Sequence, residues 1–429
     1  MTAVATAPAP STPAEPLKGS KHWGLTITLG VLAIISLLVF GLGTPSGEQT
    51  TFAVARASDF FRIPMFTLPS RATAVVLSIV ALLITAYAAY CVQTFRKFPW
   101  YGAVLYGVAV LGALLSWAGA GRDATNIQIT GLLTGAVVLS VPLVFGSLSG
   151  LVCERSGVIN IAIEGQLLAG AFTGAVIASA TGNAYAGLIA APIAGALVGA
   201  VLSLFAVKYW VNQIVVGVVL NVLVIGITNF LFGTLLRENP SLNQSMRLDT
   251  WSIPVLSKIP VVGPMLFNHT ILVYLMYITV ATLAIMLFRS RWGLRVRAVG
   301  EHPTAADTVG IKVNRTRVRN TILGGAIAGL GGAYFTVAAG LAFGKEMTSG
   351  AGFIALAAMI LGRWRPTGAL AAAVLFGFAN SLKDQLGIIG SDIPSEFLAM
   401  LPYLATILAV AGFVGHARPP AAEGIPYKK

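Results

Sequence analysis

Apolar stretches of about 17 to 25 residues, the length that crosses the hydrocarbon of a bilayer as a helix, recur along the whole chain between short polar segments. They predict spans near 24–42, 72–92, 101–119, 127–151, 158–181, 184–207, 213–236, 271–288, 321–342, 350–362, 366–382 and 397–415. The tenth is short, and Arg363-Trp364-Arg365-Pro366 stands between it and the eleventh. Residues 350–382 therefore read either as two crossings or as one re-entrant hairpin. The pattern predicts an all-α fold, a polytopic transmembrane helix bundle of about 10–12 membrane segments, with re-entrant or broken helices allowed for.

Composition agrees with the pattern. Of 429 residues, 56% are hydrophobic and 10% charged, and the mean hydropathy is +0.83, a balance no soluble globular chain needs. A net charge of +13 would suit nucleic acid, but the cations are spread over short loops rather than gathered in one stripe, so no nucleic-acid partner is expected. Counted by alternate loops, nineteen of the 28 Lys/Arg fall on one side and nine on the other. The positive-inside rule then puts both termini in the cytoplasm of a multi-pass protein of the cytoplasmic membrane, with its basic loops against anionic lipid.

Four regions follow. Residues 1–22, rich in Ala, Pro and Thr, predict a disordered cytoplasmic tail. Residues 23–126 hold three spans, 127–415 form the core, and 416–429 a second cytoplasmic tail. The run 24–42 is too long for a signal h-region and lacks a small-x-small ending, so it is not a cleavable signal. Cys91 and Cys153 fall near the cytoplasmic face, where thiols stay reduced, so no disulfide is expected.

Chemistry-bearing patterns are few. His22, His269, His302 and His416 lie far apart without metal-ligand spacing, and the stretch from Gly340 to Lys345 has the wrong spacing for a phosphate-binding P-loop. No catalytic residue, no metal and no bound cofactor is expected of this chain, and any ATP is used by a partner. Attention passes to polar residues inside the spans, each costly there and usually turned to a bundle interior or wet cavity. Read as helix, Ser156, Asn160 and Glu164 share one face at four-residue steps, and Glu164 is the one acid in a span. Gln213, Gly217, Asn221, Ile225 and Asn229 repeat the step. Two such faces suffice to line a path for a hydrogen-bonding solute. Asn160 and Glu164 could equally bond backbone at a helix break near Gly157 or Gly165, and Asn221 and Asn229 could serve as interhelical glue. Phe172, Tyr334, Phe335 and Phe353 suit either stacking on a base or plain packing.

The longest polar interruption is 289–320, with eight Lys/Arg. Within it, residues 301–311 predict one short helix. Pro303 stands in its first turn and Gly310 where a left-handed C-terminal residue is wanted. A small helix held outside the bilayer by Glu301, His302, Pro303, Ala305, Ala306, Asp307 and Gly310 is a docking peg.

These residues also resemble a family. Glu154-Arg155-Ser156-Gly157-Val158-Ile159-Asn160-Ile161-Ala162-Ile163-Glu164-Gly165-Gln166 is similar to the signature of permease subunits of bacterial ABC importers for nucleosides and simple sugars. Asn212-Gln213-Ile214-Val215 through Asn221 is similar to their next block. Ala298-Val299-Gly300-Glu301-His302-Pro303, continuing through Gly310-Ile311-Lys312-Val313, resembles their coupling loop, and Gly324-Gly325-Ala326 follows. The resemblance covers about 127–415. It implies a second permease subunit, alike or different, ATPase subunits that grip the peg, and an extracytoplasmic solute-binding protein. Gln166 stands where many members carry another residue. Two other readings compete: a stand-alone proton- or ion-coupled carrier using Glu164, and a membrane-embedded enzyme, disfavoured because no titratable pair converges within the spans.

Overall fold

The computed structural model describes residues 23–56, 59–61, 63–122, 126–244, 246–390, 397, 400, 403 and 418–428. In chain order the helices are α1 (Gly24–Leu42), α2 (Ser70–Gln93), α3 (Trp100–Ala118), α4 (Ile129–Glu154), α5 (Ile163–Thr181), α6 (Ala184–Lys208) and α7 (Gln213–Leu236). Next come α8 (Val262–Leu266), α9 (Ile271–Arg289), α10 (Arg291–Glu301) and α11 (Pro303–Thr308). The last are α12 (Val313–Ala338), α13 (Ala351–Leu361) and α14 (Pro366–Ile389). Nine of those described, α1 to α7, α9 and α12, are long and apolar enough to cross a membrane. The fold is all-α, as the apolar pattern predicts. The expected tail 1–22 lies outside the described residues, as does the expected span 397–415 apart from 397, 400 and 403.

The described residues form two compact units, one within 1–48 and 70–117 and the other within 49–69 and 118–429. The first contains α1, α2 and α3, built on small residues: Ala33, Ala81, Ala88 and Ala109 are buried with Leu29 and Tyr106. Ser36 and Ser78 share a hydroxyl bond of 2.8 Å, and the Tyr106 hydroxyl donates to the Leu29 carbonyl at 2.5 Å. Each polar group thus finds a partner within the hydrocarbon depth.

In the second unit α4 is buried along most of its length. Glycines set how closely its helices approach. A Cβ on Gly195 would lie 2.2 Å from the Gly325 carbonyl, and one on Gly170 2.2 Å from that of Gly329, so only glycine admits these contacts. One end of the unit carries short strands. β1 (Gln49–Ala53) pairs antiparallel with β2 (Phe66–Pro69) and parallel with β3 (Ile127–Gln128), while β4 (Thr250–Ser252) pairs antiparallel with β5 (Asn268–Thr270). The other end carries α10 and α11.

Two predicted spans change character. Residues 158–181 do not start a helix at 158: the backbone from 155 to 162 is irregular and α5 begins at Ile163. In place of the expected outside loop at 343–349 followed by a crossing at 350–362, an irregular stretch, 339–350, runs into the bundle and ends in α13. At 11 residues, α13 is about 16 Å long and cannot cross a bilayer alone. The helix that follows, α14, has 24 residues, a length that suffices for a crossing, but it is not one of the nine that are also apolar enough. The turn between them places two successive non-glycine residues, Arg363 (φ +55°) and Trp364 (φ +52°), in the left-handed region.

Candidate functional site: two broken segments meeting at Glu164

After α4 ends at Glu154, Gly157 turns the chain with φ +90°, and the irregular segment climbs back into the bundle. A Cβ on Gly146 or on Gly150 would lie 3.2 Å from the Ile163 side chain, so α5 starts level with a point about 6–12 Å inside the end of α4. Backbone that has left helical geometry at this depth must find other partners. Side chains of α7 supply them. The Ile159 amide donates to Gln213 Oε1 at 2.7 Å, Asn221 Nδ2 donates to the Ile161 carbonyl at 2.9 Å, and the Gly165 amide donates to Asn221 Oδ1 at 2.8 Å. Asn160 and Gln166 pair their amides reciprocally at 3.0 and 3.2 Å, and Asn160 also donates to Ser149 Oγ at 3.0 Å.

The second broken segment enters from the sheet end. Asn243 clamps the backbone of Phe343, accepting from its amide at 2.7 Å and donating to its carbonyl at 3.0 Å. The Phe343 ring lies 5.1 Å from that of Phe172 and 6.3 Å from that of Phe232. Next, Asn229 Nδ2 donates to Glu346 Oε1 at 3.3 Å, with Glu346 exposed. The segment ends on Glu164, whose Oε1 accepts from Thr348 Oγ1 at 2.6 Å and from the Gly350 amide at 2.8 Å. Its Oε2 accepts from the Gly352 amide at 2.7 Å.

Two helix N-termini therefore converge on one carboxylate. Glu164 sits in the first turn of its own helix, α5, and caps the amides that open α13. Free N–H groups and the positive ends of both helix dipoles are the reason a carboxylate is tolerated here with hydrogen-bond donors rather than a cation around it. A Cβ on Gly352 would lie 2.4 Å from the Glu164 amide nitrogen, so the close approach requires glycine.

The predicted path residues are thus placed as follows. Asn160, Glu164, Gln213 and Asn221 are brought together around the two breaks. The single helical face expected for Ser156, Asn160 and Glu164 is corrected: Ser156 and Asn160 lie on irregular backbone, and Ser156 Oγ bonds the Cys153 carbonyl at 2.7 Å. The stripe on α7 is real, with Gln213 and Asn221 buried toward the first break and Asn229 reaching the second. Sequence reasoning missed Glu346 and Thr348, which it left in an outside loop. The glycines Gly350 and Gly352 flanking a polar run were the available signal.

At the other end, Ser290 caps α10 by accepting from the Gly293 amide at 3.1 Å. The expected single helix over 301–311 is corrected: Glu301 closes α10, His302 breaks the helix at φ −140° and ψ 82°, and Pro303 opens α11. Gly310 is left-handed at φ +84°, as expected. Ala306 faces inward with Val299 and Val313, while Glu301, His302 and Ala305 are exposed. Five loop cations, Arg291, Arg295, Lys312, Arg315 and Arg319, border a cavity of about 570 Å³.

This end is tied directly to the first break. A Cβ on Gly300 would lie 2.3 Å from the Arg155 carbonyl. Arg155 donates from Nε and Nη2 to the Trp364 carbonyl at 3.1 and 2.8 Å, and Trp364 Nε1 donates to Glu154 Oε2 at 2.6 Å. Burial lowers the Arg155 pKa. The expected tail 416–429 is, over 418–428, a docked segment: the Ala422 amide donates to the Gly300 carbonyl at 2.8 Å and the Gly424 amide to the Gly157 carbonyl at 3.3 Å.

Comparison with known proteins adds to this geometry. Residues 132–411 match the family described as branched-chain amino acid transport system / permease component. The chain is 38% identical over 317 residues to a guanosine ABC transporter permease of Bacillus subtilis, covering 71% of this chain and 98% of the relative. It is 38% identical to a nucleoside ABC transporter permease of Lactococcus lactis, covering 70% and 96%. A putative glucose ABC transporter permease of Haloferax volcanii is 34% identical, covering 59% and 77%. No solved structure matches the chain significantly.

Proposed function

Because the chain belongs to the branched-chain amino acid transport system / permease component family, we propose that it is the transmembrane permease subunit of an ATP-driven importer of nucleosides or related simple sugars. Its similarity to two nucleoside permeases along nearly their full length supports the substrate class. One observation carries the mechanism: the short helices outside the bilayer abut, through Gly300, the irregular segment that leads to Glu164. Movement imposed on α10 and α11 therefore has a packed route to the place where two half-crossings meet.

In this reading a separate ATPase subunit grips the exposed side of Glu301, His302, Pro303, Ala305, Asp307 and Gly310 from the cytoplasm, with Ala306 anchoring the peg from beneath. A second permease chain and an extracytoplasmic binding protein complete the complex. The chain sits in a bacterial cytoplasmic membrane with its loop end and both termini in the cytoplasm. Glu164, Gln213 and Asn221 support the path by satisfying broken backbone, and Asn160 by pairing with Gln166 and Ser149. Asn229, with Glu346, is the polar pair left to meet the solute, and hydroxyls of a ribose suit an amide and a carboxylate as hydrogen-bond partners.

A stand-alone proton carrier is not favoured. Glu164, the group it would use, already accepts three hydrogen bonds. The test is reconstitution into vesicles with and without the ATPase subunit and binding protein. ATP-dependent accumulation of labelled guanosine is expected only in the full complex. Accumulation by the isolated chain without nucleotide would overturn the proposal.

A further inference from the structure

Residues 418–428 touch more elements at the loop end than a passive tail would. The Ala421 amide donates to Glu301 Oε2 at 3.2 Å, at the end of α10. Tyr427 packs against Val299, Ala306 and Val313, beside α11. The Gly424 amide bonds the Gly157 carbonyl in the first break. Lys428 Nζ lies 4.9 Å from the centre of the Trp210 ring, in the turn between α6 and α7.

The firmest tie is to α12. Arg317, one of eight cations counted in the basic loop, is 1% exposed. Its Nη1 donates to the Ile425 carbonyl at 2.6 Å and its Nη2 to the Ala422 carbonyl at 3.4 Å. A buried guanidinium needs acceptors, and this segment provides them. Glycines let the layers close up. A Cβ on Gly157 would lie 2.7 Å from Arg317 Nη2, and one on Gly424, itself at φ +75°, 2.8 Å from Ile159 Cδ1.

We infer that residues 418–428 form a transmission strap that joins α10 and α11 to the 155–162 break, so that displacement of the short helices moves the break and, through Asn160 and Asn221, the Glu164 junction. Gly300 alone makes a single-point contact, across which α10 could pivot. The strap adds bonds on both sides of that contact, to Gly300 and to Gly157, and anchors itself on Arg317, which turns a pivot into a rigid joint. The inference rests on the permease reading above.

The experiment uses the reconstituted complex of this chain with its ATPase subunit and binding protein, measuring ATP hydrolysis and guanosine uptake in the same vesicles. Removing residues 418–429 should leave hydrolysis running while uptake per ATP falls about tenfold. A synthetic peptide of residues 418–428, added at the cytoplasmic side, should restore part of it. Tyr427→Ala, which leaves the backbone bonds in place, should lower the same ratio by a smaller factor, and it decides the matter if the shortened chain fails to assemble. Uptake per ATP unchanged in every variant that assembles, Tyr427→Ala included, would overturn the inference, even if the amount of complex or its melting temperature fell. Absence of ATP-dependent uptake in the unmodified complex would instead overturn the permease reading.

Discussion

The two broken segments solve one problem in different ways. Residues 155–162 are held from several sides: Gln213 and Asn221 bond the segment's backbone, the Asn160–Gln166 pair locks its middle, and Gly300 presses on its start. Residues 339–350 are held at Phe343 by Asn243 and at the far end by Glu164, with Asn229 on Glu346 between them, but Leu341, Ala342, Lys345, Glu346 and Ser349 are exposed, whereas no residue of 155–162 is. The first has the character of a stiff connector and the second of a segment that can swing. Stability is not uniform across a structure, and moving parts come from the sparsely bonded regions. Side chains rather than helical ladders fix which is which.

Four experiments would break or sharpen this contrast. Glu164→Ala should have the largest effect, because it strips the acceptor from two buried amides and a hydroxyl, each orphaned donor costing about 1–3 kcal/mol. Guanosine uptake should vanish and the melting temperature of the solubilised chain should fall further than in any other variant, with Glu164→Gln intermediate. Asn221→Leu should come next, losing about 1–3 kcal/mol as Ile161 and Gly165 lose their partner; a melt equal to that of the unmodified chain would show that the connector is not held as described.

Substitutions in the polar pair formed by Asn229 of α7 and Glu346 of the second segment should leave stability alone and act on the solute. Asn229→Ala and Glu346→Gln should raise the apparent KM for guanosine about tenfold with the maximal rate kept, the pattern of a contact made equally in bound and transition states. A lost maximal rate with unchanged KM would move the pair out of the path. The smallest effect concerns Glu423 in the docked segment, whose pKa is raised chiefly by burial while Arg155 and Glu154 oppose the rise. A carboxyl raised in the folded state binds its proton more tightly there, so docking is strongest at low pH and weakens as pH rises through the raised value. Proteolysis of 418–428 should accelerate with pH across that window, and Glu423→Gln should flatten the profile.

Much of the molecule could be read from its residues. The left-handed Gly310 that follows α11 could be foreseen, though not the break at His302 before it, and the polar stripe on α7 followed from four-residue spacing. The breaks were hidden for a physical reason. Between Val158 and Ile163 nearly every position is apolar, and periodicity cannot separate helix from irregular chain when all faces look alike. At 339–350 the opposite happened: Lys345 and Glu346 looked like a solvated loop, and apart from Gly350 and Gly352 beside them nothing local points to the distant carboxylate that draws the chain inward. Arg317 was hidden because a buried cation and a loop cation are the same letter until its acceptors are known.

The separation in sequence between Glu164 and its donors, 184 to 188 residues, has a consequence for biogenesis. At about 5–20 residues per second of synthesis, the carboxylate leaves the ribosome on the order of ten seconds or more before Gly352 exists. During that interval α5 enters the bilayer with an uncapped acid, which only its own amides can shelter. The junction is therefore among the last native contacts to close, and nascent chains arrested before Gly352 should be the ones that membrane quality control removes.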